Sequence, residues 1–140
     1  MRRIVIDASL AAALLIPDEW TYAVPAIEDV IASAELHAPL HWPIELVSTL
    51  VNAEHRKRMS VAARTSAIIR AQRLLALIDV DDLLPSLAIA DLAATTGLTA
   101  YDAAYLELAL RRGADLASND GDLIDAARSR GIPVVTTRTR

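Results

Sequence analysis

The feature that most constrains the fold of this chain is a repeated local pattern. A short apolar run leads to an acidic residue, and a segment with helical character follows. Asp7 ends the run Ile4–Ile6, and Asp120 closely follows the segment Ala114–Ser118. In the second half, strand-like and helix-like segments alternate with short connections. Parallel strands need such crossover helices, and the helices cover the faces of the sheet. The pattern therefore predicts an α/β protein with a parallel sheet between helices.

The predicted elements cover nearly the whole chain. We expect strands at residues 2–6, 35–39, 78–83, 115–118 and 132–136. We expect helices at residues 8–16, 19–33, 43–58, 60–77, 85–95, 103–112 and 121–130. No repeat, low-complexity tract or linker interrupts them, so residues 1–140 are expected to form a single domain.

The composition excludes several classes of function. The chain has no cysteine, which rules out disulfides, thiolate catalysis and zinc–thiolate sites. Its net charge of −4 argues against binding nucleic acid by bulk charge, although an enzyme can still act on nucleic acid through a bound metal. No apolar run approaches the roughly 20 residues that span a bilayer. We expect a cytoplasmic protein without a membrane partner.

Four acidic residues are the candidate catalytic and metal-binding groups: Asp7, Glu45, Asp102 and Asp120. Each is predicted near the carboxyl edge of the sheet, where strands end and helices begin. Converging carboxylates repel one another unless a cation lies between them, and all-oxygen ligands favour Mg²⁺ or Mn²⁺. The alternative is structural, because Asp7, Asp102 and Asp120 are each placed to cap a helix. Glu45 fits that alternative least well.

Three hydroxyl residues accompany these acids along the chain. Ser9 follows Asp7 by two residues, Thr99 precedes Asp102 by three, and Ser118 precedes Asp120 by two. Each can orient a carboxylate from the second shell of a metal site, or simply cap a helix or turn. Asp122 is a possible fifth metal ligand, with an exposed first-turn acid as the alternative.

The most basic stretch lies at residues 55–58. Arg56, Lys57 and Arg58 are candidates for contact with RNA or with an acidic partner. The alternative is a solvated helix face, which is the usual role of such a charge run. The three histidines, His37, His41 and His55, have no spacing typical of a metal site.

Four stretches resemble the PIN domain and, within that superfamily, the VapC toxins of bacterial type II toxin–antitoxin systems. They are IVIDASL at Ile4–Leu10, WPIELVSTL at Trp42–Leu50, LTAYDAAYLELA at Leu98–Ala109 and LASNDGDL at Leu116–Leu123. They occur in the family's order and extend over nearly the whole chain. The segment around Asp102 is the most specific of them.

This resemblance implies a Rossmann-like, three-layer α/β/α sandwich around a parallel sheet of about four to five strands. It implies a metal-dependent endoribonuclease that uses Mg²⁺ or Mn²⁺. The family's acids correspond to Asp7, Glu45, Asp102 and Asp120, with Asp122 as an occasional extra ligand. Asp7 and Asp102 are expected to be the main direct ligands. Ser9 and Ser118 occupy the positions of the family's small hydroxyl residues, and Asn119 receives no role.

The resemblance also implies partners. VapC-like proteins form homodimers and bind a VapB-like antitoxin, and many relatives cut structured RNAs such as tRNA. The antitoxin groove is expected along the helices at 8–16 and 19–33, or along the apolar stripe at 44–51, unless these residues simply pack in the core. A PIN nuclease of RNA processing that is not a toxin stays an alternative. A phospho-receiver or dehalogenase-like protein is a weaker one.

Overall fold

A computed structural model describes residues 1–139 and contains a five-stranded sheet. All four strand pairs are parallel, and the strand order is β3-β2-β1-β4-β5. The fold class predicted from the sequence is confirmed. The strands are β1 Arg3–Ile6, β2 Glu35–Ala38, β3 Ile78–Val80, β4 Asp115–Ala117 and β5 Val134–Val135.

Seven α-helices and one 3₁₀ turn connect these strands within the described residues. The turn covers Pro17–Glu19. The helices are α1 Ala8–Leu15, α2 Val24–Ala32, α3 Trp42–His55, α4 Val61–Leu75, α5 Ser86–Thr96, α6 Ala100–Arg112 and α7 Gly121–Ser129. No helix in this part of the chain is both long and apolar enough to cross a membrane.

The strand order reverses its direction between β1 and β4. The first half of the chain adds β2 and then β3 on one side of β1, whereas the second half adds β4 and then β5 on the other. Right-handed crossovers therefore place the helices of the two halves on opposite faces. In such sheets, ligands bind beyond the carboxyl ends of the two strands that flank the reversal. Asp7 directly follows β1 at this point.

The core is built around the central strand. Ile4, Val5 and Ile6 are completely buried because β1 has a strand on each side and helices on both faces. This explains why the run is apolar without alternation. Leu116 of β4 and Leu106 of α6 are equally buried and pack in the same cluster.

Two predicted helices differ from the observed ones in where they begin. The prediction of a helix at 19–33 is wrong at its start: α2 begins at Val24, and Pro25 lies in its first turn, where proline is tolerated. The helix predicted at 103–112 begins earlier, at Ala100. Thr99 is its N-cap, and its hydroxyl accepts a hydrogen bond from the backbone N–H of Asp102 at 3.1 Å. Asp102 therefore lies inside the first turn and is not the cap.

The predicted apolar stripe at 44–51 is only partly buried. Leu50 faces the core, but Ile44 is 68% exposed and Val47 is also exposed. The buried face of α3 is instead formed by Trp42, Leu46, Leu50 and Ala53. Ile44 and Val47 are thus free to contact another molecule. In contrast, α1 is largely buried in the core.

Candidate active site

Asp7 lies at the reversal point, and its carboxylate is held by two hydroxyls. Its residue surface is only 2% exposed. The Ser9 hydroxyl donates a hydrogen bond to Oδ2 at 2.5 Å, and the Ser118 hydroxyl donates to the same oxygen at 2.7 Å. Although Asp7 occupies the N-cap position of α1, its side chain makes no capping hydrogen bond. The carboxylate is therefore oriented by hydroxyls rather than committed to the helix.

The loop after β4 brings Asp120 to the same edge of the sheet. The backbone N–H of Asp120 donates to the Ser118 hydroxyl at 3.0 Å, and that of Asn119 donates to the Ser9 hydroxyl at 2.9 Å. These bonds join the loop to the residues that orient Asp7. Asp120 does cap its helix, because Oδ1 accepts a hydrogen bond from the Leu123 N–H at 3.1 Å. The alternative of a helix cap therefore holds for Asp120. Its other carboxylate oxygen, Oδ2, makes no hydrogen bond within residues 1–139.

Glu45 reaches the site from the first turn of α3. Its Oε2 lies 3.1 Å from Nε2 of His41, one turn earlier, yet the geometry is not that of a hydrogen bond. Both atoms are buried and make no hydrogen bond within residues 1–139. The nearby hydroxyl of Tyr105 on α6 also makes no hydrogen bond within residues 1–139, although it lies close enough to Glu45 for that side chain to raise its pKa. Glu45 thus has a carboxylate oxygen available for another ligand.

The four carboxylates interact electrostatically, although they come from four different parts of the chain. Burial raises the pKa of Asp102 to about 6, and the charges of Asp120, Asp7 and Glu45 add to that rise. Burial also raises the pKa of Asp7; the hydroxyls of Ser9 and Ser118 oppose this, and Glu45 contributes to it. The structure therefore brings together all four predicted acids at one edge.

No lysine or arginine of residues 1–139 neutralises this group. Within residues 1–139, none of the four acids forms an ion pair with lysine or arginine. Within the described residues, the His41 ring lies beside Glu45. An uncompensated group of partly buried carboxylates is costly, because like charges disfavour ionisation in a desolvated place. A divalent cation would remove that cost.

The donor atoms suit a hard divalent cation, although the side chains do not form a closed cage. In the described part of the chain, no three His, Asp or Glu side chains are arranged to hold a metal ion. Mg²⁺ usually keeps several waters and binds through one or two carboxylates together with substrate phosphates, so a cage is not required. Asp7, Asp102 and the unpartnered Glu45 supply oxygens only. The residues present therefore fit Mg²⁺ or Mn²⁺.

Solved structures of three other proteins share this fold. A protein of Pyrobaculum aerophilum, PAE2754, aligns with a TM-score of 0.72 and 21% identity over 96% of this chain and 90% of its own. VapC20 of Mycobacterium tuberculosis, a sarcin–ricin-loop-cleaving toxin, aligns at 0.58 and 17% over 88% and 94%. VapBC2 of Rickettsia felis, bound to a promoter DNA fragment, aligns at 0.62 and 12% over 96% and 98%.

The fold is PIN-like. No family model matches the sequence, and neither does any curated protein. The likeness to PIN-domain VapC toxins is therefore one of structure. It agrees with the resemblance that the four sequence stretches predict.

Two of the remaining predicted residues, Thr99 and Asp122, differ from Ser9 and Ser118 in their surroundings. Thr99 caps α6 through its hydroxyl, which also lies close enough to the Asp102 side chain to lower the pKa of that carboxyl. Asp122 is exposed and lines a cavity of about 520 Å³ between α7 and the turn before α6. Asp125 and Arg130 line the same cavity. The role of Asp122 as a fifth metal ligand stays a prediction.

The basic stretch lies in the turn after α3. Arg58 is already engaged, because its guanidinium donates hydrogen bonds to Asp18 at 2.8 Å and to Glu19 at 3.0 Å. Arg56 and Lys57 are exposed, and Lys57 has a positive φ of 59°. These two side chains remain the candidates for an RNA or antitoxin contact.

Three residues near the site were not singled out from the sequence. His41 directly precedes the sequence stretch that carries Glu45, and Tyr105 lies in the stretch that carries Asp102. These positions were a possible indication of a role, but the spacing of the residues did not predict one. Asn119 bonds through its side chain to Thr136 and Thr137, which follow β5. That contact depends on the adjacency of β4 and β5, and the sequence gives no local indication of it.

Proposed function

We propose that this protein is a metal-dependent endoribonuclease that acts as the toxin of a VapBC-type toxin–antitoxin pair. The observation that carries the proposal is the convergence of Asp7, Glu45, Asp102 and Asp120 without a lysine or arginine partner in residues 1–139. The metal is Mg²⁺ or Mn²⁺, the partner is a VapB-like antitoxin, and the toxin acts as a homodimer. The substrate class is structured RNA, with tRNA as one candidate.

The similar structures support this choice of substrate and partner. VapC20 is a toxin that cleaves the sarcin–ricin loop, which is RNA, and VapBC2 is an antitoxin complex. Because the identities are low, these activities are extended to this chain as part of the proposal. The exposed Ile44 and Val47 offer an apolar surface beside the site for a partner chain.

In the proposed mechanism, the chain's own residues set the positions of the carboxylate oxygens that would bind the cation. Ser9 and Ser118 both donate to Oδ2 of Asp7, so Oδ1 is left as the ligand. The raised pKa of Asp102 indicates that it ionises most readily when a cation balances the neighbouring acids. Asp120 is fixed by its capping bond, and Glu45 offers the unpartnered Oε2.

When bound, a divalent cation lowers the pKa of a coordinated water and neutralises charge on the scissile phosphate. The acids also explain how a protein with a net charge of −4 can act on RNA. They concentrate negative charge where a cation would bind, so that the occupied site would not repel a phosphate. The largely buried position of Asp7 limits exchange with bulk water and strengthens these electrostatic interactions.

The Asp7→Asn substitution tests the site directly. We expect RNA cleavage in Mn²⁺ or Mg²⁺ to fall by at least about a hundredfold, because loss of even an outer-shell partner of a metal costs 10- to 100-fold. Folding should be preserved, since asparagine is isosteric and the pKa of Asp7 is raised by its burial. The measurement is cleavage of total RNA, with the fragment ends mapped by sequencing.

Asp29→Asn is the matched control. Asp29 is an exposed aspartate on α2 whose side chain forms no ion pair within residues 1–139. It should cleave like the wild type. Equal activity in the Asp7→Asn protein, after removal of contaminating nuclease, would refute the assignment of the site.

Expression in a bacterial host separates a toxin from a nuclease of RNA processing. A toxin should arrest growth, the Asp7→Asn variant should not, and co-expression of a small antitoxin-like reading frame from the same operon should restore growth. RNA cleavage in vitro without growth arrest, at comparable expression, would favour the processing nuclease.

A further inference from the structure

Buried polar atoms without hydrogen-bond partners gather in one place beside the acids. Within residues 1–139 there are four: Oε2 of Glu45, Nε2 of His41, the hydroxyl of Tyr105 and the indole nitrogen of Trp42. In native proteins only about one buried polar group in ten or fewer is left unpaired. Because all four belong to neighbouring residues of α3 and α6, they indicate a common cause.

Three of these atoms belong to side chains in mutual contact. Nε2 of His41 lies 3.1 Å from Oε2 of Glu45. The His41 ring also meets the Tyr105 ring edge to face, with a centroid distance of 5.1 Å and an interplanar angle of 70°. Tyr105 itself is completely buried, one turn after Asp102 on α6. His41 therefore lies between a carboxylate on its own helix and a tyrosine on another.

The chemistry of the three groups is complementary. Burial, and then the charges of Asp7 and Glu45, raise the pKa of the Tyr105 hydroxyl, so it stays protonated and can donate. The Glu45 carboxylate can only accept, and a neutral imidazole offers one donor and one acceptor nitrogen. A water molecule satisfies buried polar atoms when it has two to four such partners. A cavity of about 410 Å³, lined in part by His41, Glu45 and Tyr101, gives water a route to them.

We propose that His41 and Tyr105 are positioning residues that, through one shared water, hold the Glu45 carboxylate in the orientation it needs to act with Asp7 and Asp102 on a divalent cation. The inference rests on the proposed function for the presence of that cation. It adds two residues to the site, both of which act through Glu45 and touch neither the RNA nor the cation.

The first test compares two tyrosines. Tyr105→Phe removes only the buried hydroxyl, and Tyr101→Phe is the matched control, since Tyr101 also contacts the His41 ring but is 67% exposed. We expect the dissociation constant for Mn²⁺, measured by titration calorimetry and by Mn²⁺ electron paramagnetic resonance, to rise about tenfold in Tyr105→Phe. It should change less than about twofold in Tyr101→Phe.

Thermal stability distinguishes positioning from packing in the same samples. Replacing an unpaired buried hydroxyl by a hydrogen is neutral or stabilising when the hydroxyl has no role. A tenfold loss of Mn²⁺ affinity with an unchanged melting temperature of the metal-free protein therefore supports the inference. An unchanged Mn²⁺ affinity in a folded Tyr105→Phe protein overturns it.

A second pair of variants decides the matter if Tyr105→Phe does not fold. His41→Gln keeps a polar group near the position of Nε2, whereas His41→Leu removes it. Neither loses a helix cap, because the His41 side chain makes no capping bond. We expect near wild-type Mn²⁺ affinity for the glutamine variant and a loss of about tenfold for the leucine variant. Equal affinities for the two variants overturn the inference.

The outcomes separate this inference from the proposed function. If the wild-type protein binds Mn²⁺ and cleaves RNA but the variants behave like it, only the positioning role fails. If the wild-type protein binds no Mn²⁺, both the metal-dependent activity and the positioning role are overturned. A crystal structure of the wild type with density for a water between His41, Glu45 and Tyr105 would support the role independently.

Discussion

At the scale of single residues, the four acids differ in what their surroundings do to them. Asp7 is buried and bonded to two hydroxyls, Asp120 caps a helix, and Glu45 has an unpartnered oxygen. Asp102 has a pKa raised to about 6 and lacks a basic partner within residues 1–139. Asp102 is therefore the acid whose ionisation should respond most clearly to the presence of a cation.

The pH dependence of metal binding follows from the raised pKa of Asp102. A carboxyl with a pKa of about 6 is mostly protonated at pH 5, so the cation must displace a proton to bind. We expect Mn²⁺ affinity to fall about tenfold for each pH unit below 6 and to level off above about pH 7. Calorimetry between pH 5 and 8 measures this. An affinity that is constant down to pH 5 would contradict the raised pKa.

Ionisation of Asp102 favours cation binding, but in the metal-free protein it should lower the free energy of unfolding. Because the folded pKa of Asp102 exceeds the ordinary 3.8, the folded state binds its proton more tightly, and this group destabilises the fold above pH 6. Asp102→Asn should therefore stabilise the metal-free protein at pH 7 by on the order of 1 kcal/mol, after allowance for solvent screening. The gain should shrink towards pH 4. Urea unfolding at the two pH values checks this, and a gain independent of pH would count against it.

At the scale of elements, the loop between β4 and α7 joins parts of the site that are distant in sequence. Its Ser118 bonds to Asp7, and its Asn119 bonds through the backbone to Ser9. The Asn119 side chain then accepts from the Thr136 hydroxyl and the Thr137 N–H, and donates to the Thr137 hydroxyl at 2.7 Å. The segment after β5 thus braces the loop that carries Asp120.

Removing the hydrogen bonds of the Asn119 side chain should destabilise both the loop between β4 and α7 and the segment after β5. Asn119→Ala loses three side-chain hydrogen bonds and leaves the largely buried Thr137 without partners, so we expect a destabilisation of about 1–3 kcal/mol. Amide hydrogen exchange at residues 118–120 and 136–138 should accelerate together. Asn52→Ala is the control, because Asn52 is the other asparagine in the chain and is exposed on α3. Equal stability of the two variants would show that the brace is unimportant.

At the scale of the whole molecule, a partly buried ion-pair network connects α6 to the opposite half of the sheet. Asp81, which follows β3 and is 4% exposed, bonds to Arg111 and lies 3.5 Å from Arg112, both at the end of α6. Arg112 also donates to Asp79 at 3.2 Å. These pairs explain how acids can lie in the edge strand β3 and directly after it, and they hold the helix that carries Asp102 and Tyr105.

Asp81→Asn should weaken the whole fold. Burial alone would raise the pKa of Asp81, but the hydrogen bonds from Arg111 and the Leu83 N–H, together with the charges of Arg111 and Arg112, outweigh burial and lower the pKa. Because the folded pKa is depressed, this stabilisation is present above the ordinary value of 3.8 and is lost as the pH falls below it. We expect a loss of about 1–3 kcal/mol at pH 7, since the arginines are partly exposed. Urea unfolding should show little change for the exposed neighbour, Asp82→Asn; an equal loss there would contradict the role of the pair.

The sequence by itself determined the order and type of the elements and the four acids of the candidate site. Local sequence indicates the elements. The apolar run Ile4–Ile6 indicates a buried strand, and the glycine that ends α5 indicates a helix end, because burial and backbone conformation depend on neighbouring residues. Helix starts were less predictable, as Thr99 shows, since several polar residues compete to be the cap.

Only the tertiary structure decided which residues meet. The strand order places β4 beside β1, and this brings Ser118 to Asp7 across 111 positions of sequence. It likewise brings Tyr105 to His41 and Arg111 to Asp81. Such contacts depend on the path of the chain through the sheet and not on local spacing. The sequence therefore identified the acids, and the fold determined the neighbours that orient them and set their pKa values.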